Sequence, residues 1–283
     1  MILDDKTPMD TSLTPAVDIA ALQAQFNLAG QVAFVPGGYG ALGEAICWAL
    51  AVHGATVAVA GPSLEKAQQL ANTMCEHEYK ASGWPLDARN VADINKVVDK
   101  VVNSYGYINI LVNCVGIQHE QSLLDVTEDT FDLMYQTNLK SAMFLAQAVA
   151  RHQVAQHQLD PGRGGRHIHL LSVRSKLALR DRGYSAYCST KGGLLMLVRQ
   201  HAMELAPYNI TVNGIAPTFI QSERIRPHLE RQVFRDFILT RNPLGRIGEP
   251  IEVAGPVVSL AAPAASYITG QILYIDGGVT ASQ

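Results

Sequence analysis

Residues 31–35, 56–60, 108–112, 167–171, 211–215 and 271–275 are compact apolar runs, several of them continuous rather than alternating. Short unbroken runs of this kind are expected of strands covered on both faces. Segments of helical length lie between them. Residues 41–52 and 63–80 have helical composition, and residues 91–105 place Val91, Ile94, Val97, Val98, Val101 and Val102 at helical spacing. Residues 130–154 read as one long helix, with Leu133, Met134, Leu139, Met143, Phe144, Ala146 and Ala150 recurring mostly at intervals of three or four. Residues 184–205 and 251–260 complete the helices, a further strand is expected ahead of Asp87, and a long polar segment runs up to Ile247.

Strand and helix alternate throughout, which implies right-handed crossovers and an open parallel sheet. The fold class expected is α/β: a Rossmann-type, doubly wound sheet of about seven strands with helices on both faces. No internal repeat or linker interrupts the pattern, so residues 28–283 are expected to form a single domain. Residues 1–27 carry Pro8, Pro15 and several acids without a sustained period. They are expected to form a flexible or loosely docked arm with a short helix over residues 19–26.

Composition changes this picture little but excludes several classes. The 283 residues are 48% hydrophobic and 17% charged, with a formal net charge of −3. Such a balance gives no field that would recruit nucleic acid or an anionic membrane. No apolar run approaches the roughly 18 residues needed to cross a bilayer, and the acids and prolines of the first residues are not those of a signal peptide. Cys47, Cys75, Cys114 and Cys188 show no paired spacing and no histidine at metal-ligand distance. They are expected to be buried small residues in a reducing, cytoplasmic setting, with no metal bound.

In sheets of this class ligands bind beyond the carboxyl ends of the strands, so the residues after each strand carry the chemistry. After the first strand comes Pro36-Gly37-Gly38-Tyr39-Gly40-Ala41-Leu42-Gly43. Glycines at a strand-to-helix turn allow backbone N–H groups to approach a pyrophosphate, though such a turn can also be merely structural. Asp87, followed by Ala88, is placed to accept from an adenine amino group. Asn113-Cys114-Val115-Gly116 is placed to pack along a ribose and stabilise the sheet. Pro217-Thr218-Phe219-Ile220-Gln221-Ser222 offers backbone groups to a carboxamide. After the second strand, Gly61-Pro62-Ser63 supplies neither the carboxylate common in NAD users nor the arginine common in NADP users. The cofactor is therefore NAD or NADP, with NAD favoured by little.

Tyr187 and Lys191 lie four residues apart on an expected helix, hence on one face. A neighbouring cation stabilises a phenolate and brings the phenol closer to useful acid/base work near neutrality. Ser172 follows the fifth strand, from which its hydroxyl can hold a substrate oxygen. A Tyr–Lys pair at this spacing is common on helix surfaces; behind a glycine-rich first turn and a serine-ended strand it is specific.

From about residue 28 to the end, these motifs resemble the short-chain dehydrogenase/reductase family. The family's TGxxxGxG maps to residues 36–43, keeping Gly37 and Gly43 but with Pro36 for threonine and Ala41 for the middle glycine. NxAG appears at residues 113–116 with Val115 for alanine, and a PGxIxT-like segment at residues 217–222 with Thr218 for glycine and Ser222 for threonine. The resemblance implies hydride transfer between substrate carbon and nicotinamide, with Tyr187 moving the proton. Lys191 would bind the nicotinamide ribose and tune Tyr187, Ser172 would position the reacting oxygen, and Asn138 would hold a relay water. Tyr187 falls fifteen residues after Ser172, wider than the family's usual interval. Ser175 is a rival for the serine, and a small insertion within residues 176–183 accounts for the difference.

The segment from Ser172 to Tyr187, residues 117–121 and a substrate loop within residues 218–247 are expected to surround the substrate. Gln118, His119, Arg174, Arg180 and Arg182 are the candidates, since a guanidinium suits a carboxylate or other anion. Ser-Val-Arg-Ser, Ala-Pro-Thr-Phe and Asn-Pro-Leu-Gly-Arg-Ile-Gly-Glu-Pro are similar to the gluconate and deoxygluconate dehydrogenase branch, implying a sugar, sugar-acid or polyol substrate. Reduction of a 3-oxoacyl or simple ketone substrate with NADPH is the enzymatic alternative. A catalytically silent binding protein on the same fold is the alternative of another class. The family's subunit-packing end resembles residues 269–278, implying a homotetramer.

Overall fold

The computed structural model describes residues 18–223 and 225–282. Seven strands, β1 (Val32–Pro36), β2 (Thr56–Gly61), β3 (Ala81–Pro85), β4 (Ile110–Asn113), β5 (Gly165–Leu170), β6 (Ile210–Pro217) and β7 (Ile272–Ile275), form one sheet in the order β3-β2-β1-β4-β5-β6-β7. Every strand pairing is parallel. Valine, isoleucine and alanine dominate β1, β2, β4 and β6, whose residues are almost all buried, as a sheet covered on both sides demands.

Helices α2 (Ala41–Val52) and α10 (Pro250–Ala261) cover one face, where Ile46, Leu50, Val253 and Val257 meet Val35, Val57, Ile168 and Ile215. The other face carries α4 (Val91–Tyr105), α6 (Ser141–Leu159) and α7 (Ser185–Leu205) against Phe34, Leu111, Leu171 and Val212. α3 (Leu64–Glu76) packs at the β2–β3 edge. Local chemistry sets the helix ends: Asn90 accepts from the amides of Ala92 and Asp93, and Gly106, at φ +80°, closes α4 in the left-handed conformation.

Three expectations change. The long helix of residues 130–154 is instead α5 (Glu128–Tyr135), a π-helical turn (Gln136–Lys140) and α6. A π turn inserts one residue, and the sequence signal for it is the five-residue interval from Met134 to Leu139. The polar segment before Ile247 contains α8 (Arg226–Leu229) and α9 (Gln232–Arg241), the latter anchored by the fully buried Ile238. The cysteines are free, but only Cys47 is buried; Cys75 is exposed on α3, while Cys114 and Cys188 are half-buried.

Within the arm, α1 (Ile19–Gln23) is shorter than expected, and the carbonyl of Gln25 accepts from the Ala264 amide at 3.0 Å, docking this stretch on the domain. The part of the arm in residues 1–17 lies outside the described residues. α11 (Val279–Ser282) ends the described chain. No helix among the described residues is long and apolar enough to cross a membrane.

Beneath the site lies an unusual core feature. His167 and His169 alternate with Ile168 on β5 and are completely buried, and His201 of α7 is nearly so. Burial holds each imidazole well below its ordinary range, His167 down to about 3, and each feels a neighbouring imidazole or nearby charge. Because the unfolded chain takes up these protons first, the stability present above about pH 6.5 is lost as pH falls towards the folded values. Denaturant titrations between pH 7 and 5 should show a loss of up to about 1.4 kcal/mol per pH unit for each such imidazole. His167→Gln should flatten that dependence.

Candidate active site

The glycine turn after β1 is built around backbone approach. Gly37, at φ +78°, and Gly38 both donate to the Ala60 carbonyl, at 2.8 and 3.3 Å, so Pro36 is no loss to the turn. The Pro36 carbonyl accepts from Cys114 at 2.9 Å, joining the turn to the end of β4. A Cβ on Gly37 would stand 2.7 Å from the Cys114 backbone, and one on Gly43 would stand 2.3 Å from the Gly37 oxygen. Ala41, by contrast, is exposed at the first position of α2, so its methyl group does not crowd the turn itself. Gly38 and Leu42 face inward and support the turn rather than a ligand.

Gly37, Tyr39, Gly40, Gly61, Pro62, Asp87, Ala88, Cys114, Val115 and Gly116 surround one cavity of about 430 Å³. This cradle, with the helix N-terminus of α2 at its base, fits the adenosine and pyrophosphate part of a dinucleotide. Ser63 serves differently: its hydroxyl caps α3 by accepting from Lys66, and its amide donates to the Tyr39 hydroxyl at 2.8 Å. Asp87 is less available than expected. Arg89 grips both its oxygens, at 3.0 and 3.1 Å, and holds its carboxyl below the usual range. Asn113 is buried, its oxygen accepting from Val115, so it shapes the turn after β4.

Lys191 projects from α7 to the end of β5, where its ammonium donates to the Leu170 carbonyl at 2.8 Å. It is 4% exposed, and burial lowers its pKa to about 8. Its Nζ lies 5.9 Å from the centre of the Tyr187 ring, one turn earlier on the same helix face. Gly116 is beside both Lys191 and Asn138: a Cβ there would stand 3.5 Å from Nζ and 3.6 Å from the Asn138 oxygen. Ser172 is half-buried just beyond β5 and caps the 3-10 turn Val173–Ser175, which packs on α7. Ser175, the rival, turns its hydroxyl back to the Ser172 carbonyl at 2.7 Å.

Asn138 has a more demanding post than a solvent contact. From the π turn its oxygen accepts from the Ile117 amide at 2.8 Å, while its nitrogen donates to the Ile117 carbonyl at 2.9 Å and to Thr190 at 3.2 Å. The amide therefore clamps the β4 loop to α7, leaving one oxygen lone pair for anything else.

A second cavity, of about 410 Å³, is lined by Gln118, Glu120, Arg182, Tyr184, Thr218, Ile220, Ser222 and Arg231, among others. It gathers Gln118 and Arg182 as expected, together with Thr218, Ile220 and Ser222. Arg182 pairs with Glu120 at 3.3 Å. Three expected substrate residues are placed elsewhere. Arg180 is exposed and lines neither cavity. His119 lines the nucleotide cavity instead. Arg174 donates to the Leu177 and Ala178 carbonyls at 3.1 and 2.8 Å, bracing the inserted segment, although its charge still reaches Tyr184 and Tyr187. Glu120, Tyr184 and Arg231 were not named individually by the sequence but lie in the three segments expected around the substrate, whereas Arg89 carried no signal.

This geometry matches known proteins along nearly the whole chain. The model of the enoyl-(acyl carrier protein) reductase family matches residues 39–280. The chain belongs to the short-chain dehydrogenases/reductases. A 2-dehydro-3-deoxy-D-gluconate 5-dehydrogenase from Formosa agariphila is 31% identical over 91% of this chain and 95% of that protein. A 3-oxoacyl-(acyl-carrier-protein) reductase from Thermotoga maritima is 33% identical over 89% of this chain and 99% of that one. The crystal structure of a gluconate 5-dehydrogenase from Burkholderia cenocepacia, in complex with NADP and tartrate, superimposes with a TM-score of 0.87 at 31% identity, covering 93% of this chain and all (100%) of that one. As a member of the family the protein is an NAD(P)-dependent oxidoreductase acting on alcohol or ketone groups.

Two substitutions test the turn and the clamp. Gly43→Ala should weaken dinucleotide binding at least about tenfold by fluorescence titration, whereas Ala41→Gly should leave it nearly unchanged. Asn138→Ala leaves the Ile117 backbone groups short of a partner and should cost about 1–3 kcal/mol in denaturant unfolding.

Proposed function

We propose that this reductase/dehydrogenase interconverts a secondary alcohol and its ketone on a polyhydroxylated, acidic substrate of the sugar-acid type. The observation that carries this reading is the second cavity. Arg231 supplies a guanidinium group and Arg182 a second one shared with Glu120, while Gln118, Tyr184 and Ser222 supply groups that pair with hydroxyls. The likeness to deoxygluconate and gluconate dehydrogenases supports the same class. When bound, the nicotinamide supplies or accepts the hydride. Tyr187 exchanges the proton at the reacting oxygen, Ser172 holds that oxygen, and the Lys191 charge favours the phenolate form of Tyr187. Asn138 keeps Ile117 and α7 in register for these roles.

NAD is the cofactor we favour. The loop after β2 offers no guanidinium, and the Ser63 amide at the start of α3, a natural resting place for a phosphate, is already engaged by Tyr39. A homotetramer is proposed from the family resemblance, with the exposed Met143, Met196 and Met203 of α6 and α7 and the exposed Tyr267 and Leu273 near the C-terminus available for subunit contact. The exposed thiol of Cys75 suits a reducing, cytoplasmic setting.

Tyr187→Phe should lower turnover by about 10²–10⁴ while leaving dinucleotide binding intact; unchanged turnover would remove the proton-transfer role. A screen of sugar acids, polyols and 3-oxoacyl thioesters with each dinucleotide should give highest kcat/KM for a sugar acid with NAD. Activity confined to acyl thioesters with NADPH would overturn the substrate reading and leave the family assignment standing.

A further inference from the structure

The amino end of the sheet, opposite the dinucleotide cradle, holds a charged group without a counter-charge. Arg166 is the second residue of β5 and pairs in register with Thr211 of β6. Alternation along β5 turns Arg166 to the α10 side, with Ile168 and Leu170, and away from His167 and His169. Its guanidinium is largely buried, and burial alone lowers its pKa. One nitrogen donates to the Gly165 carbonyl at 2.9 Å, while the buried Nε has no partner. Among the described residues no carboxylate lies within ion-pair distance of it. Thr211, its neighbour across the strands, is 7% exposed, and its hydroxyl likewise lacks a partner.

Arg166, but not Thr211, adjoins space. A cavity of about 360 Å³ opens onto Arg166 and is otherwise lined chiefly by Gln31, Tyr107, Asn109, Arg163, Asn209 and Ser266. Gly162, Gly164 and Gly165 line it with backbone atoms. Arg163, stacked 5.5 Å over Tyr107, pairs with Asp160 at 3.3 Å, so the uncompensated charge is that of Arg166. A partly desolvated cation without a counter-ion is costly, and an unpartnered hydroxyl beside it adds to that cost.

We propose that this cavity is a second ligand site, independent of the active site, that binds a phosphate group, free or as a phosphate monoester. A tetrahedral oxyanion presents several acceptors at once, which the outer guanidinium nitrogens of Arg166, the Ser266 hydroxyl and the side-chain amides of Gln31, Asn109 and Asn209 satisfy together. The cavity is open to the surface and wider than one oxyanion requires, leaving room for the organic part of a monoester. Nothing in this site depends on the identity of the oxidoreductase substrate.

The test is isothermal titration of the full chain at constant ionic strength, with inorganic phosphate in one arm and glycerol 3-phosphate in the other. The protein is saturated with dinucleotide, so that the pyrophosphate cradle at the opposite end is filled. Saturable binding in either arm is expected, weakened at least about tenfold in Arg166→Gln. Arg166→Lys keeps the charge without the fork and should weaken binding less, which provides a folded comparison if the glutamine variant fails to fold. Tighter binding of the monoester would identify an organic phosphate as the ligand; equal binding would identify phosphate itself. Absence of heat in both arms, or affinity unaltered in a folded Arg166 variant, overturns the proposal.

Discussion

The catalytic end of this enzyme depends on one side-chain amide. Asn138 reaches from a π-helical turn to both backbone groups of Ile117 and onward to Thr190, three contacts of 2.8–3.2 Å from a completely buried residue. Ile117 continues directly from the Gly116 turn, and Thr190 precedes Lys191 on α7. The loop that ends β4 and the helix that carries the Tyr–Lys pair are thus referenced to a common point. Without the π turn, Asn138 would rotate about 100° around the helix and leave both groups unsatisfied. Irregular helix geometry here is the means by which a buried polar group meets its obligations.

Lys191 shows how the surroundings tune chemistry without a nearby acid. Its ammonium is held by a main-chain carbonyl, and its pKa falls to about 8 because of burial. A carboxylate partner would raise the pKa but compete for the positive charge that Tyr187 requires. The imidazoles of His167 and His169 lie in the same region and stay neutral, so they fill space without adding a competing cation. The charge of Arg174 does reach Tyr187, from a guanidinium fixed on the carbonyls of residues 177 and 178.

Much of the fold was legible because parallel strands announce themselves as continuous apolar runs, and because glycine, Tyr187 and Lys191 sit at positions that only backbone approach or one helix face explains. What was hidden shares a cause. The π turn changes no residue type and shows only as the interval between Met134 and Leu139. The destinations of Arg174, Arg180 and His119 depend on the path of short loops, which a one-dimensional pattern does not encode. Arg231 lies at the start of α9, where a single fully buried residue, Ile238, gave too little periodicity to reveal a helix. The effect of the departures at Pro36 and Ala41 on the turn could not be read from the motif; in three dimensions one is bypassed by Gly37 and Gly38, and the other points to solvent.

The inserted segment before Tyr184 has a mechanical consequence. The Gln121 amide donates to the Gly183 carbonyl at 2.9 Å, and a Cβ on Gly183 would stand 2.3 Å from the Gln121 backbone. Two walls of the second cavity, arriving from distant parts of the chain, are therefore fastened edge to edge like the fixed jaw of a vice. The opposite side is formed by Ile225 and Arg231, which flank α8, and among the described residues no such backbone bond ties it to these two walls. A ligand of a different size in this cavity would therefore meet give only on that second side.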